Sequence, residues 1–318
     1  MKLHQLRAAL AIAEQGSLRG AARALGMSQP ALTHNIGELE RELGASLFER
    51  RSRGMTTTPL GELVLRRART ITNEVRHVME DVQQTLGGDK GEVAVCLSIV
   101  VHLALLPVAL PLFQKRFANV QLHIVEGSFP AVESRLRDGS MDFYLGPEPK
   151  PAPPREYSVE KLFDNTRRVF ARRGHPLAQA RSLQELVGAS WITTGTTSNA
   201  EAEFRALFTR HKLPPPRLVI KAESMLSALI TMLSSDALAV TLRQYDEFEL
   251  TRDALQVIDI QEPLPAPAIV VIRRAGLPLT PAADYLCDMF RRASVQYVSE
   301  SPRVPRRPVG LSQAAMAA

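Results

Sequence analysis

From Pro59 to Leu86 the only helix breakers are Pro59 itself and Gly61, and the apolar residues fall in step. Val64, Ala68, Ile71, Val75, Val78 and Val82 are separated alternately by four and three residues. That alternation is the a/d seam of a heptad pattern, held for almost three repeats. The helix it predicts, over residues 59–86, would be about 42 Å long at 1.5 Å per residue. A rod of that length protrudes too far to bury its stripe alone, so the seam predicts pairing with a second copy of the same helix. The alternative is an amphipathic helix laid along its own domain. Gly87-Gly88-Asp89 ends the rod, and the rest of the chain must be arranged on either side of it.

Ahead of the rod the pattern is three short helices. Leu6, Leu10 and Ala13 fall at helical spacing, and Gly16-Ser17 breaks the run. Ser17 can cap a second helix, which presents Ala21, Ala22 and Leu25 on one face. Gly26-Met27-Ser28 makes a tight turn. Ser28 can cap a third helix with Pro30 in its first turn, where a missing N–H costs little. Leu32, Ile36, Leu39 and Leu43 then repeat at helical spacing until Gly44. Three helices with a glycine turn between the second and third match a helix-turn-helix. In the segment that follows, Leu47 and Phe48 are anchors, Arg50, Arg51 and Arg53 flank a turn at Gly54, and three threonines favour extended backbone. This reads as a β-wing.

Beyond the rod the pattern changes to α/β. Strand-like runs are Glu92–Ser98, Val120–Val125, Asp142–Leu145, Val169–Ala171, Trp191–Thr194, Arg217–Ala222, Leu238–Thr241 and Ala268–Arg273, with helical runs between most of them. Such alternation indicates parallel sheets with crossover helices. Residues 301–318 are rich in Pro and Arg, then Ala, and read as a disordered tail.

Charge follows the same partition. Residues 1–69 hold 11 Lys+Arg against 6 Asp+Glu; residues 70–90 hold 2 against 4; residues 91–300 hold 23 against 23; the tail adds three arginines and no acid. A basic head on a neutral body points to a polyanion partner for the head, and the alternative is a solvated basic face. With 45% apolar and 23% charged residues the composition is that of a globular protein. Two cysteines cannot form a disulfide framework and suit a reducing compartment. Arg7 and Glu14 interrupt the apolar N-terminus, and no small-residue cleavage site follows, so an export signal is not expected. The longest apolar stretch, Cys96 to Phe113, contains His102, Pro107 and Pro111, which excludes it as a membrane span. The expectation is a cytoplasmic protein without membrane contact.

At this point the residues resemble the LysR-type transcriptional regulators. The head carries Ser17, Ala21-Ala22, Leu25, Ser28-Gln29-Pro30-Ala31-Leu32-Thr33, Ile36, Leu39-Glu40, Leu43-Gly44, Leu47-Phe48, Arg50, Arg53, Thr57 and Pro59 in the family's order. In the body, Leu105-Leu106-Pro107, Phe113, Val120, Leu122, Gly127, Leu136, Gly139, Asp142 and the His175-Pro176-Leu177-Ala178 stretch continue the likeness. It covers about residues 2–297. The stretches GSFPAVESRLRDGSMDF and LPLTPAADYL resemble the family's aromatic-sulfonate-responsive branch.

The resemblance implies a multidomain chain. A winged helix-turn-helix would occupy residues 1–58 and a dimerising linker helix 59–88. An α/β effector domain like the periplasmic binding proteins would occupy 91–300. Its two Rossmann-like halves, 91–164 with 268–299 and 165–267, would be joined by two crossover strands. It also implies a homodimer assembling into a homotetramer, double-stranded promoter DNA and RNA polymerase as partners, a small organic effector in the cleft between the halves, and neither cofactor nor metal.

For DNA, the third helix would enter the major groove with its N-terminal residues at base edges. The resemblance puts Ser28, Gln29, Pro30 and Thr33 there. Gln29 can pair with adenine N6/N7, and Thr33 can touch a thymine methyl or a phosphate. His34, Asn35 and Gly37 depart from the family's common choices. His34 meets a base, a phosphate or solvent, and Gly37, costing about 1 kcal/mol relative to Ala in a helix, marks a close approach. Arg50 and Arg53 suit a minor groove or flanking phosphates.

For the effector, ligands of α/β sheets sit beyond the carboxyl ends of strands. Ser98 with the amides of Ile99 and Val100 could bind an anion there. Gly127 and Phe129 follow another strand, and Phe129 either walls an aromatic ligand or is simply an exposed or core phenylalanine. Thr194 and Thr196 follow the Trp191 strand. Ser198 and Glu201 beside them form a capping box, which alone would explain the polar run. Thr241 ends a further strand. Hydroxyls and amides without a dense charge cluster suit an organic anion, such as an aromatic carboxylate or sulfonate.

Three rival classes lack their signatures. No G-x-S-x-G, P-loop, H-E-x-x-H or paired C-x-x-C supports an enzyme. Cys96 and Cys287 do not have the spacing of the family's peroxide-sensing branch, and their positions predict buried, inert thiols. A solute-binding protein would need an export signal and no helix-turn-helix.

Overall fold

The computed structural model describes residues 1–52, 54–194 and 200–300. The head is built from α1 (Leu3–Gln15), α2 (Leu18–Ala24), α3 (Gln29–Leu43), the hairpin β1 (Phe48–Arg51) and β2 (Gly54–Thr57), and the first turns of α4 (Pro59–Thr85). The Ser17 hydroxyl accepts from Gly20 N at 3.1 Å, and that of Ser28 from Ala31 N at 3.3 Å, each satisfying an amide that has no acceptor within its helix. Gly16 and Gly44 end α1 and α3 with φ of 63° and 70°, a backbone state that costs glycine nothing. Leu6, Ile12, Ala21, Leu32, Leu39 and Leu47 meet in one core, which Leu65 and Ala68 of α4 complete.

That core corrects the seam expected on α4. Ala68, 1% exposed, is spent inside the head, and Val64 packs partly against the same cluster, because the first turns of the rod close the head's core rather than protrude from it. Ile71, Val78 and Val82 remain on the outside, joined there by Met79 at 68% exposure and Leu86 at 82%.

The body continues through β3 (Gly91–Leu97), α5 (Ile99–Ala104), α6 (Leu106–Arg116), β4 (Val120–Glu126), α7 (Phe129–Arg137), β5 (Phe143–Pro147) and β6 (Tyr157–Arg172). Then follow β7 (Ser190–Thr194), α8 (Ala200–Arg210), β8 (Arg217–Ala222), α9 (Met225–Ser234), β9 (Leu238–Leu242), α10 (Gln244–Glu247), α11 (Glu249–Arg252), β10 (Leu255–Ile258), β11 (Pro265–Arg274) and α12 (Pro281–Glu300). Strand order is β4-β3-β5-β11-β6-β9-β7-β8, with β10 also on β6. β3 runs parallel to β4 and β5, and β7 runs parallel to β8 and β9. β11 and β6 cross between these two groups as an antiparallel pair. β6 lies on β11 from Tyr157 to Thr166, then on β9 and β10 from Arg167 to Arg172. The inner strands of each group are buried on both faces, while the edge strands β4 and β8 are partly exposed. On β3, Val93, Val95 and Leu97 face the α6/α12 core while Cys96 faces the α7 core. On β6, Val169 and Ala171 face the α8 core while Phe170 faces the α9 core. The period of two along a strand places these side chains alternately.

The second half of α4 is bolted to the body by polar groups. Gln84 accepts from Ala282 N at 2.9 Å and donates to Lys90 O at 3.1 Å, and Asn73 donates to Asp138 O at 2.8 Å. Arg76 grips both carboxylate oxygens of Glu80, which also accepts from Glu92 N. Arg274 reaches Glu74 at 2.6 Å. Asp142 accepts from Ala94 N at 2.8 Å with its other oxygen 3.8 Å from His77 Nε2. Burial pushes the Asp142 carboxyl up to about 6 despite that amide and the nearby arginines. Burial, followed by Arg76, lowers His77 to about 4. No helix among the described residues is long and apolar enough to cross a membrane.

Candidate DNA interface and effector cleft

α3 turns Leu32, Ile36 and Leu39 into the head core and leaves Ser28, Gln29, Pro30, Thr33 and His34 exposed. Gln29, Pro30, Thr33 and His34 line one open, shallow depression. The Thr33 hydroxyl donates to Gln29 O at 2.9 Å. Its proton is committed, so its methyl and its lone pairs are what it can offer outward. His34 Nε2 lies 3.7 Å from Glu38 Oε1, one turn further along.

The wing is set by contacts that no periodicity announces. Glu40 accepts from Leu47 N at 2.6 Å and Phe48 N at 3.3 Å, closing the turn between α3 and β1 with a charge-assisted pair. Thr58 donates to Ser46 O at 2.8 Å and accepts from Gly61 N at 2.9 Å, tying the base of the wing to the start of α4. A Cβ at Gly61 would collide with the Leu47 carbonyl, which is why a glycine sits in that first turn. Met55 N donates to Gly16 O at 2.8 Å, and at Gly54 (φ 125°) a Cβ would strike the same carbonyl. A lone glycine inside a helical pattern marks Gly61; Glu40 is marked only by the resemblance that Leu39-Glu40 carries, and Thr58 by no pattern. Arg50 is exposed on β1, while Arg51 donates to Glu49 at 2.7 Å. Arg53 lies outside the described residues.

At the other end, Ser98 stands at the carboxyl end of β3 as the residue before α5. It is 6% exposed, its amide donates to Leu145 O at 2.9 Å, and its Oγ has no hydrogen-bond partner. A buried hydroxyl without a partner is expensive, and a ligand oxygen would relieve it. Leu103 of α5 packs with Phe170, Ala239 and Tyr245, so the helix that Ser98 begins lies against the second group of strands. Ile99 is half-buried and Val100 fully buried beside it. Thr241 is buried near the end of β9, beside Tyr245. Gly127 lies against Cys96, where a Cβ would sit 3.3 Å from the sulfur.

Phe129 corrects the aromatic-wall alternative. It is 4% exposed and meets Tyr157 edge-on at 5.3 Å and Tyr144 at 6.0 Å. It is core because the α7 side of the sheet packs three rings together with Val132, Leu136 and Ile272. Thr194 ends β7, but its side chain, Thr196, Ser198 and residues 301–318 lie outside the described residues. Cys96 and Cys287 are buried free thiols, both pushed up to about 11 by desolvation, so neither is a thiolate near neutrality. Among the described residues no His/Cys/Asp/Glu cluster could hold a metal ion.

Two family profiles match the chain. One, described as "Bacterial regulatory helix-turn-helix protein, lysR family", covers residues 3–62, and the other, "LysR substrate binding domain", covers residues 86–294. The curated HTH-type transcriptional regulator GbpR of Azospirillum brasilense is 26% identical over 96% of this chain and 90% of its own. GalR of Pseudomonas putida is 28% identical over 91% of this chain and 73% of its own. A full-length OxyR variant from Pseudomonas aeruginosa has the same fold at a TM-score of 0.68 and 21% identity, over 92% of this chain and 95% of that one. CbnR complexed with its target DNA gives 0.67 and 19%, over 92% and 100%. The profiles fall on the head and the body just described, with residues 63–85 of α4 between them, and together they identify this chain as a member of the LysR family of transcriptional regulators, not an enzyme.

Proposed function

We propose that this regulator binds promoter DNA as a dimer of dimers and responds to a small organic anion held between the two halves of its body. α3 enters the major groove with Gln29, Thr33 and His34 at base edges, and Arg50 and Arg53 of the wing reach the flanking phosphates or minor groove. The committed proton of Thr33 favours a thymine methyl over a phosphate as its contact. Ile71, Val78, Met79 and Val82 on α4 supply one homotypic surface. Val219 and Ile220 of the edge strand β8, with Leu226 and Ile230 of α9, supply a second apolar face, as a dimer of dimers requires.

The observation that carries the effector reading is the unpartnered Ser98 hydroxyl, buried at a strand's carboxyl end where α5 meets the second half. With Phe129 in the core, no described residue argues for aromaticity, so anionic character is the part proposed. A thermal-shift screen of small carboxylates, sulfonates, amines and sugars tests it. The expected result is that an acid raises the melting temperature of the wild type, and that Ser98→Ala loses most of that shift. Stabilisation only by neutral or cationic compounds, or equal shifts in both proteins, refutes it.

A further inference from the structure

The head contains seven glycines, and six have a reason within the chain. Gly16, Gly26 and Gly44 hold φ between 63° and 70°, where a side chain is disfavoured. At Gly20, Gly54 and Gly61 a Cβ would collide with Ser17 Oγ, the Gly16 carbonyl and the Leu47 carbonyl. Gly37 has neither reason. It sits in the middle of α3 without a positive φ, and a Cβ there would meet nothing within 4 Å. Glycine is the poorest helix former after proline, so its presence works against the helix it occupies.

Its position supplies the missing reason. Gly37 is exposed on the side of α3 opposite Leu32, Ile36 and Leu39. Thr33 and His34 precede it by a turn on the same side, and the exposed Arg41 follows it by a turn. The face therefore runs from polar reading groups, through a gap with no side chain, to a cation. We propose that the DNA duplex comes closest to α3 at Gly37. There the helix backbone itself lies against the groove, and the missing Cβ sets the depth to which Gln29, Thr33 and His34 penetrate. The inference rests on α3 being the reading helix.

The test uses the full-length protein and duplexes that the wild type selects from a randomised pool. Gly37→Ala adds one methyl group to a tight contact, and the expected result is an affinity loss of about tenfold or more, the usual scale of overpacking. The melting temperature should hold or rise, since alanine favours the helix, so the loss is not unfolding. Gly37→Lys distinguishes close approach from mere nearness: it should weaken binding further despite its added positive charge. Unchanged or tighter binding by either variant overturns the proposal, as does a changed oligomeric state with DNA affinity intact. Gln29→Ala tests the reading beneath it. If Gln29→Ala leaves selected-site affinity untouched, the reading of α3 fails; if it weakens binding while Gly37→Ala does not, only the proposal for Gly37 fails.

Discussion

Replacing His77 and Asp142 one at a time is predicted to tilt the pH dependence of stability in opposite directions. Asp142 is raised from 3.8 to about 6, so between these values the native state takes up its proton before the unfolded chain does. Its contribution to stability therefore grows as pH falls through 6. His77 is lowered from 6.5 to about 4, so the unfolded chain takes up that proton first, and stability is lost as pH falls below 6.5. From pH 7 to pH 5, Asp142 should add about 1 kcal/mol and His77 should remove about 2 kcal/mol. The two partly cancel in the wild type, leaving a net loss of about 1 kcal/mol. Glu74, Arg76, Glu80 and Arg274 face the pair and are left in place by both substitutions. His77→Gln exposes the Asp142 contribution, and its stability should rise on acidification. Asp142→Asn keeps an acceptor for Ala94 N and exposes the His77 contribution, so its stability should fall. Urea denaturation at pH 5 and pH 7 reads both slopes. Two variants that both run parallel to the wild type, or slopes of the same sign, would refute the reasoning.

Three further outcomes are expected. Arg50→Ala should reduce the slope of log affinity against log salt by about one, because one fewer phosphate contact releases one fewer counterion; an unchanged slope in mobility-shift titrations removes Arg50 from the interface. Glu40→Gln should weaken the wing by about 1–2 kcal/mol through its bonds to Leu47 and Phe48. Amide exchange at those two residues would show it, and unaltered protection there argues against the role. A paired substitution, Val78→Glu with Met79→Glu, should halve the sedimenting mass by placing charge on the outer stripe of α4, while a mass equal to wild type would mean that this stripe is not the dimer contact.

The head was largely legible because its signals are local. Ser17, Ser28, Gly16 and Gly44 announce helix ends by chemistry that acts within three or four residues. The inner parallel strands of the body are legible as apolar runs, since both of their faces are covered. The first part of β6 was not: Tyr157–Thr166 alternates half-exposed charged residues with apolar ones and reads like a loop until β11 pairs with it. β10 was missed because Leu255–Ile258 is short and leans on β6 alone. The seam of α4 marks a helix, and the structure has one over Pro59–Thr85. Whether an apolar residue on it faces the head, the body or the outside depends on tertiary contacts, and so Ala68 was misplaced. At the effector end, Ser98 and Phe129 look equally plausible as lining; only the ring contacts of Phe129 and the orphaned oxygen of Ser98 separate them.

α4 has almost no slack. Its first turns belong to the head core through Leu65 and Ala68, and from Asn73 onward it is pinned to the body. A helix of 27 residues is about 40 Å long at 1.5 Å per residue. Held at one end, such a lever moves its far tip by about 3.5 Å for a tilt of roughly 5°, close to the 3.4 Å rise of one base pair. A small change in the attitude of the body would therefore displace the head by about the rise of one base pair. In the dimer proposed above, two heads carried on such levers would change their separation along the duplex by a few ångströms, on the order of one base-pair rise.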